Sequence, residues 1–175
     1  MKHGFVKVAA ATPELRVADV LFNCKKIAET IAKADKEGVQ LLVFPELSMC
    51  GYTCGDLFGQ KVLLDGCMQA LREVAGETKG RKLLVFVGVP VRLGGVLYNC
   101  AAAVCDGKVL AFVPKTHLPN YAEFYEKRNF QPYTGENAQV EFFGEKIPFG
   151  NKIIFADENE KDFTVAAELC EDLWV

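Results

Sequence analysis

The chain has 175 residues, 50% hydrophobic and 25% charged, with 20 basic against 23 acidic side chains and a net charge of −3. A chain of this length can bury about 70% of its unfolded surface, so one domain with a substantial core is expected rather than a disordered or collagen-like polymer. The mild negative charge gives no electrostatic reason to expect nucleic acid or an anionic membrane, and no uncharged apolar run approaches the roughly 18 residues of a membrane span.

Phe5–Ala11 reads as a first strand, closed by Thr12-Pro13. From about Asp19 to Glu37 the apolar positions Val20, Cys24, Ile27, Ala28 and Ile31 recur at helical spacing, with Gly38 as the stop. Val39–Phe44 is a short continuous apolar strand of the kind buried on both faces. A second helix is expected over Lys61–Thr78, with Leu64, Cys67, Met68, Leu71, Val74 and Ala75 on one side, followed by a strand over Lys82–Val89. Val91–Leu93, Gly94-Gly95 and Val96–Cys105 predict a hairpin, and Asp106-Gly107 a second turn into Val109–Val113. Residues 114–150 look like one long irregular loop, ordered by its aromatics and functional by its length. Lys152–Ala156 and Phe163–Leu169 are the last expected strands. The pattern is that of an α/β protein with a mixed sheet.

Seven cysteines, several within apolar runs, suit reduced thiols in a cytoplasmic protein. The lysine-interrupted start shows no secretion signal. Cys50, Cys54 and Cys67 raise the question of zinc, but there is no CxxC pair and the only histidines are His3 and His117, so no metal is expected.

Chemistry in α/β sheets collects at the carboxyl ends of strands. Three expected strands end in reactive residues: Glu46 after Phe44-Pro45, Lys115 after Val113-Pro114, and Cys170 after Leu169. A free thiol near pKa 8.5 is only a few per cent ionised at neutral pH, and lowering that value by two units requires about 2.7 kcal/mol. A cation about 4 Å away at an effective dielectric of 20 supplies about 4 kcal/mol. The three groups form a coherent set if Glu46 takes the thiol proton as substrate arrives and returns it to a leaving amine, while Lys115 steadies the oxyanion. That is acyl transfer from an amide or nitrile carbon through a thioester. The bland alternatives are a solvated turn carboxylate, a surface lysine and a core cysteine. A Cys170–His117 dyad is the competing chemical reading and leaves Glu46 without a role.

Phe44-Pro45-Glu46-Leu47-Ser48 with Gly51-Tyr52 and Asp56-Leu57-Phe58 resembles the first catalytic block of the nitrilase, or carbon-nitrogen hydrolase, superfamily. Pro114-Lys115 with the stretch from Leu118 to Glu126 is similar to its second block, and Glu168-Leu169-Cys170-Glu171-Asp172-Leu173-Trp174 to its third. Within the superfamily the combination is closest to the glutaminase domains of glutamine-dependent NAD synthetases. Stand-alone amidases more often follow the cysteine with Tyr-Asp and an Arg-Phe-Pro-Glu stretch.

The resemblance implies a four-layer α-β-β-α sandwich, incomplete here at its C-terminal end, so that residues 1–175 are read as the first part of such a domain. It implies Cys170 as nucleophile, Glu46 as general base, Lys115 as oxyanion stabiliser and Glu123 as a supporting glutamate beside the lysine. Tyr121 and Glu171 would bind substrate, with the backbone N–H of Glu171 as an oxyanion donor. Glutamine would be the substrate, with no cofactor for its hydrolysis. ATP and Mg²⁺ would belong to a synthetase domain, whose Ser-Gly-Gly-x-Asp-Ser loop this sequence does not contain. That domain would be a partner in the same longer chain, and assembly as a homo-oligomer is expected. The alternatives are a carbon-nitrogen hydrolase for another amide and an inactive fragment that only retains the three residues. A dinucleotide-binding module is disfavoured because no GxGxxG follows the first strand.

Overall fold

A computed structural model describes residues 4–160 and 162–175; His3 lies outside them. Among the described residues, nine strands and two long helices follow in chain order: β1 (Val8–Ala10), α1 (Val20–Lys36), β2 (Leu41–Val43), α2 (Lys61–Glu77), β3 (Leu84–Leu93), β4 (Val96–Cys105), β5 (Lys108–Pro114), β6 (Ala138–Phe142), β7 (Glu145–Phe149), β8 (Phe155–Ala156) and β9 (Thr164–Val165). Three short 3-10 turns, at Gly55–Gly59, Glu126–Arg128 and Cys170–Leu173, fall in the connections.

Helix α1 begins where Asp19 caps the N–H of Phe22 at 3.1 Å. It ends at Gly38, whose φ of +73° suits a residue without a Cβ. Its buried stripe, including Cys24, Ile27 and Ile31, is the periodic set read from the sequence. Helix α2 packs against α1 and against β3, β4 and β5, burying Leu64, Cys67, Leu71 and Val74.

Seven strands form one sheet in the order β1-β2-β3-β4-β5-β7-β6. Strands β1, β2 and β3 run parallel, β3, β4 and β5 form an antiparallel meander, and β7 joins β5 in parallel. The core lies between this sheet and the helices, with Leu42, Val85, Val87, Ala102 and Phe112 fully or almost fully buried. The opposite face is covered only in part. The β8–β9 ladder lies over its middle, where Phe155 meets Phe86 edge-on at 5.3 Å between centroids. Towards β1 and β2 the same face leaves Val8 and Val43 exposed. The expected α/β class is present, as one helix layer, one mixed sheet and the start of a cover on the other side.

Two expectations need correction. Residues 114–150 are not one irregular loop, because they contain the β6–β7 hairpin. Its turn is Phe143-Gly144, both with positive φ (49° and 84°), as a tight two-residue hairpin requires. A phenylalanine at the first of these positions hides the turn, and Pro148 argues against an inner strand. The strand tolerates it because β7 shares only the pair Phe112↔Phe149 with β5. The final strand pair is also shorter than expected. Strands β8 and β9 have two residues each and stand apart from the main sheet, so Cys170 does not leave a buried sheet strand as Glu46 and Lys115 do.

Candidate active site

Glu46 sits in a tight turn just after β2. The turn is closed by Ser48 N–H donating to Pro45 O (3.1 Å) and Gly51 N–H donating to Leu47 O (2.8 Å). Leu47 has φ of +52°, a left-handed conformation that costs a non-glycine residue roughly 1–2 kcal/mol. It is held because Leu47 is fully buried and because the turn rests on β3. There Met49 N–H donates to Gly88 O (3.0 Å) and Gly88 N–H to Ser48 Oγ (3.2 Å). A Cβ on Gly88 would collide with Leu47 N and lie 2.5 Å from Pro45 O, so only glycine lets the base-bearing turn cross the strand this closely.

Lys115 follows the last residue of β5. Its N–H donates to Asn99 O (2.8 Å) and its carbonyl accepts from Tyr133 N–H (3.0 Å). The side chain is fully buried and its ammonium donates to Glu46 Oε1 at 2.7 Å and Glu126 Oε1 at 2.8 Å. Tyr52 Oη donates to the same Glu126 oxygen at 2.7 Å, and Asn99 Nδ2 donates to Glu46 Oε1. Burial alone would push the lysine towards neutrality, but the carboxylates of Glu126 and Glu46 overcome it and raise its pKa above the ordinary value. The ammonium bridges the two acids. Among the described residues no group of three His, Cys, Asp or Glu side chains could hold a metal ion.

Cys170 opens the last 3-10 turn with φ of +49° and an exposed side chain. It lines, together with Glu46, a cavity of about 330 Å³ between the outer sheet face and residues 165–170. Its thiol feels Lys115, Glu46, Glu126 and the N–H of Glu171. Partial burial raises its pKa, Lys115 and the Glu171 N–H lower it, the two glutamates raise it, and the net shift is upward. Glu46 is raised as well, mainly by burial, with Lys115 opposing. A protonated resting thiol beside a carboxylate with an elevated proton affinity suits a proton transfer during reaction better than a preformed thiolate.

The structure thus brings Glu46, Lys115 and Cys170 to one place. Tyr121 and Glu171 are joined, Tyr121 Oη donating to Glu171 Oε2 at 3.1 Å on the exposed side of the Cys170 turn. Glu123 is not beside the lysine: it is exposed, and the carboxylate that pairs with Lys115 is Glu126, three residues later. One turn of 3-10 helix at Glu126–Arg128 rotates that side chain inward, which residue spacing in a loop does not disclose. The alternative dyad gains no support: the groups that act on the Cys170 thiol are Lys115, Glu46, Glu126 and the Glu171 N–H, not the His117 imidazole, whose Nδ1 pairs with Asp172 Oδ1 at 3.2 Å.

Sequence reasoning gave no role to Asn99 or Gly88, and quoted Tyr52 and Asp172 only as motif residues. A polar Asn99 inside the apolar run of β4 was the available signal, since a buried amide must find a partner.

Residues 7–175 match the carbon-nitrogen hydrolase family. The chain is 36% identical over 174 residues to a glutamine-dependent NAD(+) synthetase of Mycobacterium tuberculosis, covering 99% of this chain and 26% of that protein. It is 34% identical over 171 residues to one of Xylella fastidiosa, covering 97% and 28%. The chain therefore spans about a quarter of the length of the curated relatives it matches. A crystal structure of a glutamine-dependent NAD(+) synthetase from Cytophaga hutchinsonii superimposes with a TM-score of 0.87 at 29% identity, over 95% of this chain and 28% of that one. An amidase from Nesterenkonia sp. shares the fold at a TM-score of 0.63 and 24% identity, over 82% of this chain and 54% of that one. With a family match over nearly its whole length, the acid and thiol lining one cavity, and the buried ammonium bonded to that acid, this chain belongs to the carbon-nitrogen hydrolase family.

Proposed function

We propose that these residues form a glutaminase site that hydrolyses the side-chain amide of glutamine through a thioester on Cys170. Glu46 Oε2 takes the thiol proton as the sulfur–carbon bond forms, and the oxyanion is held by the Lys115 ammonium and the Glu171 N–H. Glu46 returns the proton to the nitrogen as the carbon–nitrogen bond breaks and ammonia leaves. It then takes a proton from water, which adds to the thioester carbon. The sulfur–carbon bond breaks, Cys170 recovers its proton and glutamate departs. Tyr121 and Glu171, joined to each other beside the Cys170 turn, bind the amino-acid end of the substrate.

The carrying observation is the buried Lys115 ammonium bridging Glu126 and Glu46, with Glu46 lining the cavity that Cys170 also lines. The names of the similar proteins support glutamine as the amide donor. The ammonia would feed an ATP-dependent synthetase domain of a longer chain, amidating nicotinic acid adenine dinucleotide. Self-association and a reducing, cytoplasmic setting complete the proposal, the latter supported by seven unpaired cysteines.

The test is incubation of the intact protein with a diazo-ketone analogue of glutamine, followed by peptide mass spectrometry and an ammonia-release assay. The adduct is expected on Cys170, with glutamine turnover abolished by Cys170→Ala. An adduct on another cysteine, or turnover by the variant, overturns the assignment.

A further inference from the structure

The Cys170 turn has little regular structure to hold it. Strand β9 before it has two residues, and residues 166–169 belong to no ladder. The loop after Lys115, in contrast, begins from a fixed point, because Lys115 is bonded through its backbone to Asn99 and Tyr133. One carboxylate spans the gap between them. Asp172 Oδ1 accepts from Thr116 N–H at 3.0 Å, His117 N–H at 2.6 Å and His117 Nδ1 at 3.2 Å. Its Oδ2 accepts from Thr116 N–H at 3.2 Å and Leu169 N–H at 3.4 Å. On the far side the Thr116 hydroxyl is pinned in turn by Asn151 Nδ2 at 2.9 Å.

We infer that Asp172 is the positioning residue of this site: it clamps the nucleophile's turn to the two residues after Lys115 and so sets the separation of Cys170 Sγ from the ammonium. The inference rests on the reading of Cys170 as nucleophile. A local role in capping the 3-10 turn accounts only for the bond to Leu169. The bonds to Thr116 and His117 reach back 55 or 56 residues to the lysine loop. The side chain is only 12% exposed, so water does not replace these bonds cheaply. An amide cannot substitute. Asparagine offers one acceptor oxygen, and its NH₂ would face N–H groups that the second carboxylate oxygen now receives.

The test compares intact wild-type protein with Asp172→Asn and Asp172→Ala in three measurements: thermal unfolding, glutamine kinetics, and the pH dependence of iodoacetamide alkylation at Cys170 followed by peptide mass spectrometry. Both variants are expected to keep a cooperative transition and to lose on the order of 100-fold in kcat, as displacement of a reacting group by about 1 Å does, with KM changed far less. The midpoint of the alkylation profile is expected to move to lower pH, towards that of an ordinary thiol, because the displaced sulfur leaves both the burial and the Glu46 and Glu126 carboxylates, which together outweigh Lys115 and the Glu171 N–H. An unchanged alkylation profile and kcat in Asp172→Asn would overturn the inference. So would loss of cooperative unfolding in both variants, which assigns the residue to folding alone. If wild-type protein fails to hydrolyse glutamine, the glutaminase reading falls, and the alkylation profiles still decide the role of Asp172.

Discussion

The ammonium of Lys115 lies 2.7 Å from Glu46 Oε1, and the amide of Asn99 donates to that same oxygen. Both anchors therefore grip one oxygen of a carboxylate that lines the cavity shared with Cys170, and leave Oε2 without either bond.

This arrangement fixes the sign of a pH effect. Burial raises the pKa of Glu46, and the bonds from Lys115 and Asn99 oppose the rise. Asn99→Ala removes one of the opposing bonds, so the carboxylate holds its proton to higher pH. The base must be ionised to act, so the acid limb of the kcat/KM profile should move to higher pH in the variant. The lost bond to a charged group should also cost about 1.5–3 kcal/mol of stability. Steady-state rates between pH 4 and 9, together with thermal melts, check both; an acid limb that stays put contradicts the anchoring role.

Replacing Lys115 by methionine leaves the Glu126 and Glu46 carboxylates facing each other at a buried site. Breaking a buried pair by removing one partner costs about 3–5 kcal/mol. For a domain of this size that is a fall in melting temperature of about 10 °C. Lys115→Met combined with Glu126→Gln should recover part of the stability and none of the activity. Calorimetry of the two variants beside the wild type measures the difference.

Gly88→Ala tests the close crossing beneath the base. The added methyl group would strike Leu47 and Pro45 backbone atoms, which cannot move aside as the end of a side chain can. Overpacking of this kind costs about 1–3 kcal/mol or somewhat more. The larger effect should be catalytic, since shifting Glu46 by about 1 Å is worth on the order of 100-fold in rate. Wild-type turnover in a folded Gly88→Ala protein would show that the crossing does not position the acid.

Tyr121→Phe deletes only the hydroxyl that reaches Glu171 at 3.1 Å. The bond is exposed, so the melting temperature should hold. If the pair binds the amino-acid end of glutamine, KM should rise by about tenfold, equivalent to about 1.4 kcal/mol, with kcat little changed. Initial-rate kinetics on the amide substrate separate the two parameters.

The helices and the central strands were legible because each buries a periodic apolar face: Ile27 and Ile31 in α1, Leu71 and Val74 in α2, and the continuous runs of β3 and β4. Lys115 and Glu46 were legible as polar residues closing apolar strands. The β6–β7 hairpin was not, because its turn uses Phe143 where glycine or asparagine would announce it. Glu126 was missed in favour of Glu123 because local sequence does not show which carboxylate in an aromatic loop turns inward. Asn99 and Asp172 act across 53 to 56 residues, and such pairings are created by the fold rather than by spacing.

The half-covered sheet face bears on how the protein must be handled. Val8 and Val43 are wetted on it, and beyond it the chain exposes Ile154 and Trp174. Sulfate or phosphate at high concentration strengthens apolar association and should drive such surfaces together, while a little urea should keep them apart. Light scattering during a salt titration would reveal the stickiness before any assay is attempted, and buffers of low ionic strength without kosmotropic anions are the sensible starting point.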